Sequence, residues 1–138
     1  MIKAFSLYGP KDNFPELPKE YYAKVERWFS TMCYHYVDLG YDYALISFEL
    51  DKPVACLLFG WSKDYFDGDN RVLDFSRATA CRHRRKGHAS ALLRHFLELY
   101  PYEDIWVTNV NKVLTKSLRR SGFEAVGIET MVRRARVR

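Results

Sequence analysis

The chain has 138 residues, 48% of them hydrophobic and 16% aromatic, which is the length and composition of one ordinary domain with a core needing no disulfide or metal staple. That composition excludes wholesale disorder, and no apolar run approaches the roughly 18 residues that a membrane span requires. Lys+Arg number 22 against 17 Asp+Glu, and the formal charge of +5 favours anionic partners such as nucleotides, phosphates, nucleic acid or acidic proteins.

Ile2 to Tyr8 alternates loosely and predicts a first strand that stops at Gly9-Pro10. Pro18 to Leu39 is helical in pattern, with Tyr22, Val25, Phe29, Met32 and Tyr36 at three- and four-residue steps, as one long helix or two short ones. Pro18 suits its first turn and Gly40 its stop. Tyr43–Leu50 and Pro53–Trp61 predict an antiparallel hairpin turning at Asp51-Lys52. Lys63 to Asn70 has the composition of a polar loop, and Val72 to Cys81 that of a further strand.

A basic loop, Arg82 to Lys86, leads into a second helix from about Gly87 to Leu99, whose stripe Ala89, Leu92, Leu93, Phe96 and Leu97 follows the 3.6-residue period. Asp104 to Val110 predicts a short strand. Asn111 can cap a third helix reaching Ser121, with Gly122 at its left-handed C-terminal position. Glu124 to Val137 fits one long strand or a short hairpin. The order is that of a single α/β or α+β domain, residues 1–138, around a mixed sheet.

Cys33, Cys56 and Cys81 are odd in number and widely spaced, as free thiols in a reducing compartment are. The N-terminal residues lack the apolar core of a signal peptide, so the expected location is cytoplasmic. Cys81 and His83 lie close together, yet no second ligand pair completes a zinc pattern, and no metal is expected.

The chemistry centres on Arg84-x-x-Gly87-x-Ala89 between a strand and an amphipathic helix. Gly87 permits unusual dihedrals, and small Ala89 lets a ligand sit against the helix start. Unpaired amides of a first helical turn, with the positive end of the helix dipole, suit phosphate groups, and Arg84, Arg85 and Lys86 add charge. No Gly-Lys-Ser/Thr follows, so this is not a P-loop, and three spaced glycines of a dinucleotide fingerprint are lacking.

In these residues the sequence resembles the GNAT superfamily of acyl-CoA-dependent N-acyltransferases, whose signature Arg/Gln-x-x-Gly-x-Gly/Ala is matched by Arg84, Gly87 and Ala89. The family often carries an Asn, a helix, and then Gly-Phe eleven and twelve residues on; Asn111, Gly122 and Phe123 fall at that spacing. The resemblance implies a mixed, mostly antiparallel sheet of about six or seven strands flanked by about three or four helices. It also implies a V-shaped opening between the strands Val72–Cys81 and Asp104–Val110. The pantetheine of acetyl-CoA would lie there against backbone near Thr79, Ala80 and Cys81. Its pyrophosphate would meet Arg84, Arg85, Lys86, Gly87, His88, Ala89 and Ser90, with Asn111 and Ser117 also facing the cosubstrate.

The implied reaction is direct attack of a primary amine on the thioester, the amine belonging to a protein lysine or N-terminus, an aminoacyl group or a small molecule. An acidic protein or RNA-linked acceptor fits the charge. The family's Tyr seven residues after the capping Asn is Leu118 here, leaving neighbouring Ser117 as the candidate acid. A Glu that some members carry in the penultimate strand falls at Trp106 or Val107, so Asp74 is the candidate base, with Glu49 as an alternative, each acting through water. Two other functions remain open: a CoA-binding sensor with weak catalysis, or a nucleic-acid or protein-binding module using the arginines from Arg133 to Arg138. Monomer and homodimer are both compatible with the sequence.

Overall fold

The computed structural model describes residues 1–30, 41–67, 70–79, 87–108, 110, 112–127 and 129–136. Among them are seven strands and three helices in the order β1 (Ile2–Ser6), α1 (Lys19–Ser30), β2 (Tyr43–Glu49), β3 (Lys52–Asp67), β4 (Asn70–Thr79), α2 (His88–Leu99), β5 (Ile105–Val107), α3 (Lys112–Arg120), β6 (Glu124–Gly127) and β7 (Thr130–Arg133). The strands form one sheet in the order β1-β2-β3-β4-β5-β7-β6. Every neighbouring pair is antiparallel except β4 and β5, which are parallel.

Alternation along β2 divides the core between the two sheet faces. Tyr43 and Leu45 join Leu57, Phe59, Leu73 and Phe75 beneath Leu92, Leu93 and Phe96 of α2. Ala44 and Ile46 point the other way and pack with Leu17, Cys56, Leu58 and Val25 of α1. The stripe predicted on the second helix is therefore its core-facing side. Ring contacts knit this core, with Phe96 lying 4.9 Å from Phe59 and 5.4 Å from Phe75 between centroids.

Several boundaries differ from the sequence expectation. The first hairpin turns at Leu50-Asp51, both at positive φ (51° and 61°), and Lys52 already pairs with Glu49. Two left-handed residues give the twist that a two-residue hairpin needs, so the turn sits one residue earlier than Asp51-Lys52. The expected polar loop Lys63–Asn70 is largely strand: β3 runs to Asp67, and Asp67 pairs with Asn70 at the start of β4. The predicted final segment is the hairpin β6–β7. The first helix ends at Ser30 among the described residues, and its expected continuation to Leu39 lies outside them. No described helix is long and apolar enough to cross a membrane.

Candidate functional site

Among the described residues the parallel pair β4–β5 is in register at two positions, Leu73 with Ile105 and Asp74 with Trp106. On its other side β4 stays paired with β3 as far as Thr79, opposite Ala55. Residues Phe75 to Thr79 therefore continue past the last described β5 pair, and among the described residues that edge of β4 opens in mid-sheet. Free backbone donors and acceptors along such an edge can receive an extended ligand. The backbone of Asp74 stands where the two strands part, and that of Thr79 at the far end of the opening.

The chain next enters the described residues at Gly87, whose φ of 81° and ψ of 7° are left-handed. A side chain there would meet nothing within 4 Å, so glycine is needed for its backbone conformation, and the space above it is open. As the N-cap of α2, Gly87 offers no side-chain acceptor, and the helical ladder begins with the Ala91 amide donating to the Gly87 carbonyl at 3.0 Å. The amides of His88, Ala89 and Ser90 thus open the helix without a capping side chain. Ala89 is half-buried and Ser90 exposed.

The His88 side chain turns away from the helix axis to the end of β2. Its Nδ1 lies 3.2 Å from Ser47 Oγ, and its Nε2 lies 3.1 Å from Glu49 Oε2. Ser47 and Glu49 both reach the ring from the end of β2, across a register shift between Ser47 and Phe48. Glu49 was expected only as an alternative base. Ser47 was not anticipated, and its one sequence signal is that it stands two residues before Glu49.

A cavity of about 510 Å³ runs beside this turn, lined by Ser90, Arg94, Leu97, Glu98, Ser121 and Arg136 among others. Its walls carry two arginines, one carboxylate and two hydroxyls beside the apolar Leu97 and Pro101. Ser117 of α3 is half-buried, and its carbonyl accepts a hydrogen bond from Ser121 Oγ at 3.4 Å. Leu118, at the position the resemblance assigns to a tyrosine, is buried in the core. Ala80, Cys81, Arg84, Arg85, Lys86 and Asn111 lie outside the described residues.

Two arginines of the basic C-terminal stretch, Arg133 and Arg134, are engaged internally. Arg133 is buried on β7 and donates from one guanidinium nitrogen to the carbonyls of Tyr100, at 2.6 Å, and Glu103, at 2.8 Å. Burial lowers its pKa from the ordinary arginine value. Arg134 lies 3.7 Å from both Asp104 and Glu124. Among the described residues, no group of three or more His, Cys, Asp or Glu side chains is placed to hold a metal ion.

No protein-family model and no curated protein sequence matches the chain. Solved structures do share its fold. An N-acetyltransferase from Staphylococcus aureus aligns with a TM-score of 0.63 at 10% identity, over 96% of this chain and 94% of that one. Arabidopsis thaliana Naa50 in complex with the bisubstrate analogue CoA-Ac-MVNAL aligns with a TM-score of 0.62 at 12% identity, over 95% of each chain. The fold is that of acetyltransferases. More narrowly it is the GNAT fold: an acetyltransferase of the GNAT family from Streptococcus agalactiae gives a TM-score of 0.60 at 13% identity, covering 95% of this chain and 92% of that one.

Proposed function

We propose that the chain transfers an acetyl group from acetyl-CoA to a primary amine. The observation that carries this reading is the mid-sheet opening of β4 after Asp74, with the uncapped first turn of α2 following it in the chain. Pantetheine would take up backbone groups at Thr79, Ala80 and Cys81. The pyrophosphate would meet the amides from Gly87 to Ser90 with Arg84, Arg85 and Lys86, and the nucleotide would enter the cavity at Arg94 and Arg136. Asn111 would border the same opening.

The amine nitrogen would attack the thioester carbonyl carbon. Its proton would pass through water to Asp74, the C–S bond would break, and the thiolate would take a proton from water relayed through the Ser117 hydroxyl. A backbone amide near Ala80 would stabilise the oxyanion. A protein or RNA-linked amine is the favoured acceptor class on the chain's positive charge.

One observation favours a second reading, a CoA-binding protein with weak turnover: core-buried Leu118 replaces the family's phenolic acid. The nucleic-acid reading loses ground, because Arg133 and Arg134 are tied to partners within the fold.

The test is a thermal-shift titration with acetyl-CoA beside a Gly87→Glu variant. A ligand at a hundred times its dissociation constant stabilises the native state by about 2.7 kcal/mol, a shift of several degrees. A saturable shift in the parent, lost in the folded variant, supports the site. No shift at millimolar acetyl-CoA overturns the reading. Turnover with candidate amines then separates the enzyme from the weakly active binder.

A further inference from the structure

Both ring nitrogens of His88 are occupied within the protein, by partners 41 and 39 residues away in sequence. An imidazole held in this way has no nitrogen left to offer a ligand as its principal contact. We infer that His88 is a positioning residue: it fastens the first turn of α2 to the end of β2 through Ser47 and Glu49, holding the helix amides where an anion meets them. The inference rests on the acetyl-CoA reading above and deepens it.

Three observations converge on this role. His88 is the first residue of α2, directly after the left-handed Gly87, so nothing on the helix side of that turn fixes its orientation through a capping side chain. Its ring is mostly buried, with 16% of the side chain exposed, so the contacts are partly shielded from water. Ser47 is itself buried at 4% exposure, and its hydroxyl can donate to or accept from Nδ1. When Ser47 donates to Nδ1, the neutral ring carries its hydrogen on Nε2 and donates it to the Glu49 carboxylate. The cross-link joins the end of β2 to the first turn of α2. Preorganising the amides in this way removes an ordering cost that the ligand would otherwise bear.

The role also assigns a task to Glu49 that differs from proton transfer. A carboxylate beside a phosphate site is unfavourable unless it is engaged, and the imidazole N–H engages it. Removing Glu49 should then loosen the turn, whereas removing His88 should both loosen the turn and leave the carboxylate without this donor.

The experiment measures CoA affinity by calorimetry for the parent, His88→Ala, His88→Gln, Ser47→Ala and Glu49→Gln, with amide hydrogen exchange at residues 88–90. A glutamine amide nitrogen can stand where Nε2 stands and restore the bond to Glu49. The expected result is about tenfold weaker binding for His88→Ala, with faster exchange at those amides, and binding within about threefold of the parent for His88→Gln. Glu49→Gln should weaken binding, and its effect should be smaller when combined with His88→Ala than when made alone.

Unchanged affinity and exchange in His88→Ala would overturn the assignment. So would equal losses in His88→Ala and His88→Gln with Glu49→Gln like the parent, since the ring itself would then touch the ligand. If His88→Ala fails to fold, Ser47→Ala and Glu49→Gln decide, and parent-like binding in both overturns the proposal. A parent that binds no CoA defeats the functional reading instead, and the exchange data still report whether the cross-link orders the turn.

Discussion

The amide of Phe123 donates to the carbonyl of Leu118 at 3.0 Å across the end of α3, and both side chains are buried in the same core cluster. Between them Gly122, at a φ of 93°, donates to the Arg119 carbonyl at 3.1 Å. This is the Schellman closure with its apolar clasp, and it explains why a Gly-Phe pair ends this helix. It also commits residue 118 to the core.

Leu118→Tyr should therefore destabilise the protein by about 1–3 kcal/mol through overpacking and should not raise turnover. Gly122→Ala should cost about 1–2 kcal/mol, because an L side chain is strained at that backbone angle. Urea melts give both values, and CoA affinity of the folded Gly122→Ala protein should match the parent.

Phe96 is fully buried and meets Phe59, Phe75 and Tyr100 in tilted and edge-on ring contacts. Its replacement by alanine should cost about 3–5 kcal/mol, the range for deleting a buried aromatic ring. A variant that unfolds without a cooperative transition, or one as stable as the parent, would contradict the packing described.

Arg133 ties β7 to the end of α2 through two carbonyls. Arg133→Met would strip both carbonyls of a charged donor and should cost about 2–3 kcal/mol, offset in part by relief of a buried guanidinium. Denaturant titration at neutral pH reads this directly, and Arg133→Lys should recover only part of the loss.

Burial raises Tyr43 above the ordinary tyrosine range, helped by its hydrogen bond to the Asp12 carboxylate. Burial, with Asp12 and Glu103 nearby, pushes Tyr100 up to about 12. Both favour the protonated phenol in the folded state, so their contribution to stability is complete below pH ~10 and is lost as pH rises from there through the folded values. Urea midpoints should fall steeply from pH ~10 upward. Tyr43→Phe removes one of the two groups and should flatten the fall; an unchanged slope would contradict the assignment. Burial likewise raises the Cys56 thiol, which should resist alkylation until the protein unfolds, as peptide mapping would detect.

The elements nearest the site were legible because local chemistry specifies them. The apolar stripe of α2, the glycine at its start and the Gly122-Phe123 stop each declare themselves within a few residues. The strand from Lys63 to Asp67 did not, because Lys63, Asp64 and Asp67 have loop composition, and the pairing there is that of Phe66 with Arg71 and Asp67 with Asn70. A register shift between Trp61 and Phe66 further blurs the alternation. The Asp12–Tyr43 bond and the Ser47–His88–Glu49 chain were invisible for another reason. Each joins residues more than thirty positions apart, and only the assembled sheet and helix bring them together.

Among the described residues β4 and β5 share two residue pairs, so hydrogen bonds join the two halves of the sheet over a short stretch. One apolar cluster spans both halves, from Tyr43 and Phe59 on one side to Ile105, Phe123 and Met131 on the other, with Leu92, Leu93 and Phe96 between. The gauge of the slot is accordingly set by side-chain volume. An interior methyl group added or removed would act on slot width as a shim does, well away from any atom that touches a ligand.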